Sequence, residues 1–139
     1  MIRTLFGALA LVLCAGAATA QAVDVRVDLS DQRMTVMRWG KVVATWPVST
    51  ARSGKVTPTG TYGPQFMKKR HYSSLYNNAP MPWSIFYSGN YAIHGTNAIS
   101  RLGRPASAGC VRLHPDNAQR LFGWVQEAGM KNTRIRVVR

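Results

Sequence analysis

Only one stretch of this sequence has the periodicity of an amphipathic helix, and most of the rest alternates or is interrupted by glycine and proline. Apolar residues alternate with polar ones over 23–29, and a period of two returns over 134–138. This alternation is typical of strands with one buried face. Residues 33–38 and 41–48, on either side of Trp39-Gly40, predict two more strands. The chain is therefore predicted to begin as a β-meander.

The second half predicts a hairpin and the single helix. Segments 83–87 and 91–94 flank the turn residues Ser88-Gly89-Asn90. Pro115 and Asp116 favour a helix start, and Gly129 favours its end. Between these points the apolar positions follow helical spacing: Ala118, Leu121, Phe122 and Val125. Residues 57–64, 65–82 and 95–109 show no regular period and are predicted as extended or loop segments, so the chain is predicted to be one mostly β domain.

The first twenty residues have the pattern of a secretory signal peptide. Arg3 precedes an apolar stretch over 5–18, and Ala18-Thr19-Ala20 has the small-x-small form of a cleavage site. We therefore predict a signal peptide at 1–20, a domain at 21–139, export to the periplasm or cell wall, and no transmembrane anchor after cleavage. The alternatives are an N-terminal core helix and a lipoprotein acylated at Cys14, which Leu13 disfavours.

The chain is strongly basic, with a formal net charge of +13 at neutral pH. In an exported protein such a charge would attract anionic wall polymers or lipid head groups rather than nucleic acid. The longest basic cluster, Lys68-Lys69-Arg70-His71, is interpreted as a solvated loop. His114, directly before the helix, is interpreted as a capping or surface residue.

Three residue types suited to nucleophilic catalysis occur close together in the sequence. Cys110 is the single cysteine outside the predicted signal peptide, His94 ends an apolar strand, and Arg112 follows the cysteine by two positions. A histidine is the usual means of activating a cysteine nucleophile, and an arginine suits a substrate carboxylate. Taken singly, each also has a structural interpretation: a buried small apolar thiol, a satisfied histidine and a surface arginine. His71 and His114 remain as rival bases, with His71 interpreted as solvated.

Gly109 would let backbone N–H groups approach an oxyanion beside the nucleophile. No metal is predicted, because one cysteine and three scattered histidines lack the spacing of a zinc site. No cofactor is predicted either.

The segments His94-Gly95-Thr96-Asn97 and Ser107-Ala108-Gly109-Cys110-Val111-Arg112 resemble the paired His-Gly-Thr and Ser-x-Gly-Cys-x-Arg signature of the L,D-transpeptidase catalytic domain, the YkuD-like fold. The stretch Thr57-Pro58-Thr59-Gly60 resembles the upstream Thr-Pro-x-Gly segment of that family. The resemblance runs from about residue 23 to residue 138. It implies a mixed β-sandwich with one principal helix after the catalytic cysteine.

The resemblance also implies roles for individual residues in acyl transfer on peptidoglycan stem peptides. It makes Cys110 the nucleophile and His94 the general base and acid. It assigns orienting or oxyanion roles to Gly95, Ala108 and Gly109. It assigns substrate binding to Arg112, Ser107, Thr96 and Asn97. Some family members carry a second histidine where this chain has Ala108, which leaves His94 as the one base expected near the thiol.

Several alternatives remain open at the level of sequence. The acyl group could pass to a second stem peptide in a 3→3 cross-link, to an outer-membrane protein amine, or to a free D-amino acid. Transfer to water would make the protein an L,D-carboxypeptidase or a hydrolase that releases wall-bound protein. A basic wall-binding module with a buried, unreactive thiol is the non-catalytic alternative.

Overall fold

Nine strands in two mixed sheets and one α-helix form the part of the chain described by the computed structural model, residue 7 and residues 21–139. The predicted signal peptide, apart from Gly7, and Cys14 lie outside the described residues. The elements are β1 (Val23–Asp28), β2 (Arg33–Arg38), β3 (Lys41–Pro47), β4 (Gly60–Tyr62), β5 (Phe66–Lys68), β6 (Ser84–Ser88), β7 (Tyr91–Gly95), β8 (Val111–Leu113), α1 (Pro115–Ala128) and β9 (Thr133–Val138). Short 3₁₀ turns occupy Ile99–Arg101 and Met130–Asn132.

The first sheet has the order β3-β2-β1-β9-β4. Its first three strands form the predicted antiparallel meander. The β2–β3 turn uses Trp39 and Gly40, both with positive φ, as hairpin turns of two residues commonly require. The last strand of the chain, β9, then pairs parallel to β1, with Val25 opposite Ile135. The two ends of the domain are thereby joined in one sheet.

The second sheet has the order β5-β6-β7-β8 and carries the sequence motifs. The hairpin of β6 and β7 confirms the prediction for 83–94. Strand β8 pairs parallel to β7, with His94 opposite Arg112. Parallel neighbours require a long crossover, and residues 96–110 supply it. The predicted irregular segment is therefore the connection that returns the chain to the histidine strand.

The hydrophobic core lies between the two sheets and α1. Val25 and Val36 come from the first sheet, Ile93 and Leu113 from the second, and Leu121 from the helix, and each is at most 1% exposed. The helix starts and ends as predicted, and the His114 side chain caps it by accepting a hydrogen bond from the Asp116 backbone N–H at 3.1 Å. No helix in residues 21–139 is long and apolar enough to cross a membrane.

Three short strands were not predicted. Strands β4, β5 and β8 have three residues each and pair with β9, β6 and β7 respectively. Three residues are too few to establish a period of two, and these pairings join distant parts of the chain. The prediction of continuous loop over 65–82 was therefore wrong at Phe66–Lys68.

Candidate active site

Strands β7 and β8 point His94 and Arg112 away from the main core. Their neighbours Ile93, Val111 and Leu113 belong to the core between the sheets. Because successive side chains alternate across a strand, His94 and Arg112 project from the opposite face. Cys110 directly precedes β8 and packs on a second apolar cluster made of Met81, Phe86 and Ala92. The structure therefore brings the predicted thiol, imidazole and guanidinium to one face of one sheet.

A cavity of about 600 Å³ opens on this face. Its lining contains the predicted residues His94, Cys110, Arg112, Thr96, Asn97, Ser107, Ala108 and Gly109. No acidic residue is among the described residues that line it. An anionic ligand in this cavity would meet positive charge and hydrogen-bond donors without repulsion from a carboxylate.

The His94 ring is held in a defined tautomer. Nδ1 lies 2.7 Å from the Gly95 carbonyl oxygen, which can only accept a hydrogen bond. Nδ1 therefore carries the proton, and Nε2 is left as the basic nitrogen. Burial lowers the pKa of His94 to about 4, and the positive charge of Arg112 acts in the same direction, while the Gly95 contact opposes them. The imidazole is thus neutral, and able to accept a proton, at neutral pH.

The Cys110 thiol is half-buried and lines the same cavity as His94. Burial raises the pKa of the Cys110 thiol, and the Ala92 backbone and the Arg112 charge oppose that effect only in part. Its Sγ donates to the Asn90 carbonyl oxygen at 3.6 Å, so within the described chain the thiol hydrogen bond goes to Asn90 and not to His94. Sulfur and imidazole share one cavity as neutral groups rather than as a preformed ion pair. Proton transfer would have to accompany attack on a substrate.

The loop before the thiol is stabilised by its own serine. The Ser107 hydroxyl accepts a hydrogen bond from the Gly109 N–H at 3.0 Å and donates to the Cys110 carbonyl at 2.7 Å. Ser107 is fully buried. The single hydroxyl proton is therefore used within the loop, and the substrate-binding role expected for Ser107 stays a prediction. The engaged Gly109 N–H is not an available oxyanion donor, which leaves the N–H groups of Ala108 and Cys110 as candidates.

Gly109 is required here for its backbone conformation. Its φ is +141°, a value that residues other than glycine rarely adopt. A Cβ at this position would lie 2.7 Å from the Tyr91 ring and 2.8 Å from the Val56 carbonyl oxygen. The absence of a side chain lets the loop pass between these groups.

Arg112 is half-buried in the cavity wall. Its backbone N–H and carbonyl pair with Ser49, while its side chain belongs to none of the ion pairs within residues 21–139. Burial lowers the pKa of Arg112, and the charges of Arg101 and Arg52 add to this effect. Arg52 lines the same cavity, and among the described residues neither it nor Arg112 has a carboxylate partner, so the pair would favour an anionic group there.

Of the remaining predicted residues, Gly95 is packed beneath the site, whereas Thr96 and Asn97 line the cavity. Gly95 is buried, and an added Cβ would lie 3.1 Å from both Pro115 and Pro82, so a side chain here would have to displace these neighbours by a few tenths of an ångström. The Thr96 hydroxyl accepts a hydrogen bond from the Ala98 N–H at 3.1 Å. Asn97 is exposed at the cavity rim.

The sequence left His71 as a rival base but favoured a solvated position for it. The interpretation of His71 as solvated was wrong, because the residue is half-buried, lines the cavity, and packs its ring edge-on against Phe86 with centroids 5.0 Å apart. Burial lowers the pKa of His71. His71 belongs to residues 69–83, hereafter the arm. The Trp83 N–H donates a hydrogen bond to the Lys69 carbonyl at 2.8 Å, which joins the two ends of the arm. No local signal could reveal this position, because Phe86 lies in another strand.

The fold and this arrangement define a β-sandwich protein with a cysteine–histidine site. The sequence model described as YkuD, L,D-transpeptidase catalytic domain, matches residues 22–137. The chain belongs to this family.

Related sequences and structures agree with this assignment. "Putative L,D-transpeptidase YkuD" of Bacillus licheniformis is 26% identical over 97 residues, which are 65% of this chain and 52% of that protein. "Putative L,D-transpeptidase YqjB" of Bacillus subtilis is 29% identical over 109 residues, covering 69% of this chain and 62% of that protein. The chain thus spans about half to three fifths of the length of these curated relatives.

Solved structures share the fold. The L,D-transpeptidase of Stackebrandtia nassauensis superposes with a TM-score of 0.74 at 23% identity, covering 86% of this chain and 56% of that one. An L,D-transpeptidase of Mycobacterium tuberculosis H37Rv gives a TM-score of 0.74 at 20% identity, covering 86% and 58%.

Proposed function

We propose that this protein is an exported cysteine acyltransferase that acts on peptidoglycan stem peptides. The observation that carries the proposal is the placement of Cys110, His94 and Arg112 on one face of the β7–β8 pair, in one cavity whose described lining holds no carboxylate. A nucleophile, a base and a carboxylate anchor are the groups that such a reaction requires. Membership of the L,D-transpeptidase catalytic domain family supports the same reaction type.

In the first half-reaction the Cys110 sulfur attacks the carbonyl of the third stem residue. The thiol proton passes to His94 Nε2, and the carbonyl oxygen becomes an oxyanion near the Ala108 and Cys110 N–H groups. The amide bond to the terminal D-amino acid then breaks, and the proton on Nε2 is given to the departing amine. The products are a thioester on Cys110 and a free D-amino acid.

In the second half-reaction an amine attacks the thioester. His94 Nε2 takes a proton from the attacking amine and returns it to the Cys110 sulfur as the carbon–sulfur bond breaks. The side-chain amine of another stem peptide would give a 3→3 cross-link, and a protein amine would give wall attachment. The neutral state of His94 at pH 7 suits both steps, since each begins with proton acceptance.

The surface charge suits a wall polymer rich in carboxylates. The formal net charge is +13, and Lys68, Lys69 and Arg70 are exposed where β5 ends and the arm begins. Such a field would raise the local concentration of an anionic polymer near the cavity. Export by the signal peptide at 1–20 would bring the protein to this polymer.

Mass spectrometry of the purified protein with disaccharide-tetrapeptide muropeptides tests this function. The expected result is a thioester adduct on the protein that lacks the terminal D-amino acid, followed by cross-linked dimers. Cys110→Ala should abolish both products. His94→Gln should reduce them by at least about 100-fold, as expected for loss of a general base.

His114→Asn is the matched histidine control, because asparagine can still cap α1. Its product yield should equal that of the wild type. Tripeptides without dimers would identify water as the acceptor and a carboxypeptidase. Failure of the wild type to form any adduct, together with slow alkylation of Cys110 at neutral pH, would refute the proposal in favour of a wall-binding module.

A further inference from the structure

Residues 48–57, hereafter the strap, form hydrogen bonds with the loop that precedes the Cys110 thiol. Val48 accepts a hydrogen bond from Gly103, and Ser49 pairs with Arg112 through two backbone hydrogen bonds. The Thr50 carbonyl accepts from the backbone N–H groups of Ala106 and Ser107 at 2.9 Å each. These contacts join the strap to β8 and to the second half of the crossover between β7 and β8.

The strap is itself anchored by one buried side chain. The Gln32 amide accepts from the Thr50 N–H at 2.9 Å and donates to the Thr50 hydroxyl and to the Leu29 carbonyl. Gln32 has a φ of +50°, which a non-glycine residue adopts only where its surroundings require it. The turn between β1 and β2 thereby determines where the strap lies.

Within residues 21–139, the last residue of the strap makes the one side-chain hydrogen bond to the Gly109–Cys110 peptide bond. The Thr57 hydroxyl donates to the Gly109 carbonyl oxygen at 2.8 Å and accepts from the Ala51 N–H at 3.0 Å. Thr57 is 6% exposed, so water does not compete freely for these bonds. The hydroxyl has one proton, and the geometry commits it to Gly109.

The Gly109 carbonyl and the Cys110 N–H belong to the same peptide unit. Because the unit is planar and trans, its N–H points opposite to its carbonyl. Thr57 holds the carbonyl on the strap side, behind the cavity wall that Gly109 and Cys110 form. The Cys110 N–H is therefore aimed away from the strap, towards the reacting carbonyl.

We propose that Thr57 is a positioning residue that aims the Cys110 N–H at the oxyanion formed during acyl transfer. This inference rests on the proposed function, because an oxyanion arises only when a carbonyl is attacked. Gly109 depends on such hydrogen bonds, because a glycine backbone has more conformational freedom than that of other residues and the φ here is +141°. The Ser107 hydroxyl bonds to the Gly109 N–H and to the Cys110 carbonyl. The Thr57 hydroxyl bonds to the Gly109 carbonyl, which lies between these two groups in the chain.

The test compares two reactions of the same thiol in Thr57→Val and Thr57→Ser. Attack on a disaccharide-tetrapeptide creates an oxyanion, whereas alkylation by iodoacetamide does not. Thr57→Val keeps the branched shape and removes the hydroxyl, and Thr57→Ser keeps the hydroxyl. We expect Thr57→Val to lower the single-turnover acylation rate by about 10- to 100-fold, approaching the effect of losing an oxyanion donor. Its alkylation rate should stay within about twofold of the wild type.

Thr57→Ser should restore acylation, and Thr59→Val should acylate as the wild type does. Thr59 is the matched control, because it is exposed in the same motif. If Thr57→Val does not fold, Thr57→Ala carries the same comparison. Equal loss of acylation and alkylation, or unchanged acylation in Thr57→Val, would overturn the inference. A wild type that never acylates would instead refute the proposed function.

Discussion

Acidification from pH 7 to pH 4 is expected to remove about 3 kcal/mol of folding stability through His94 alone. Folding lowers the pKa of this imidazole from 6.5 to about 4, chiefly because burial disfavours its charged form. Between these pH values the unfolded chain binds a proton that the folded protein excludes. The contribution is complete above pH 6.5 and is lost as the pH falls towards 4. Each pKa unit corresponds to about 1.4 kcal/mol.

Urea unfolding at several pH values between 7 and 4, with wild type and His94→Gln, measures this contribution. Because glutamine does not titrate, the free energy of unfolding of His94→Gln should fall less between pH 7 and pH 4 than that of the wild type. The difference between the two decreases should be about 3 kcal/mol. His71, whose pKa is also lowered by burial, is present in both proteins, so its own titration enters both pH profiles. The chain has only five acidic residues, which keeps the carboxylate contribution small. Parallel pH profiles for the two proteins would refute the reasoning.

Three further predictions concern single substitutions. Gly109→Ala should destabilise the fold by about 2–5 kcal/mol, from backbone strain and from overlap with Tyr91 and Val56, measured by urea unfolding; a loss below about 1 kcal/mol would contradict this. Gly123→Ala, in the exposed face of α1 with open space around it, should instead stabilise by about 0.5–1 kcal/mol, and a lower melting temperature would contradict this. Arg112→Gln should raise the KM for tetrapeptide substrates by about 10-fold or more, and an unchanged KM would exclude Arg112 as the carboxylate anchor.

Local patterns were sufficient for the longer elements. The meander β1–β3, the β6–β7 hairpin and α1 each follow from alternation, turn residues or capping residues within a few positions. These elements have five residues or more, so their buried faces leave a period in the sequence. Strands β4, β5 and β8 have three residues each and exist because a distant strand offers its edge. No local pattern could identify them.

The candidate site shows the same division. Cys110, His94 and Arg112 were selected from residue chemistry and from a paired motif, and the structure brings all three to one cavity. For Ser107, the motif could not show that the hydroxyl makes two hydrogen bonds within its own loop. His71 was missed because its place in the cavity depends on a packing contact with Phe86.

The amino-acid sequence by itself determined the candidate reacting groups and the positions of the longer strands, because side-chain chemistry, turns and caps are properties of single residues or short segments. Only the tertiary structure decided the state of those groups. Burial keeps the His94 imidazole neutral, and a distant strap residue, Thr57, holds the Gly109–Cys110 peptide bond. Desolvation and hydrogen-bond direction depend on what packs around a side chain, and residues far apart in the chain supply that packing.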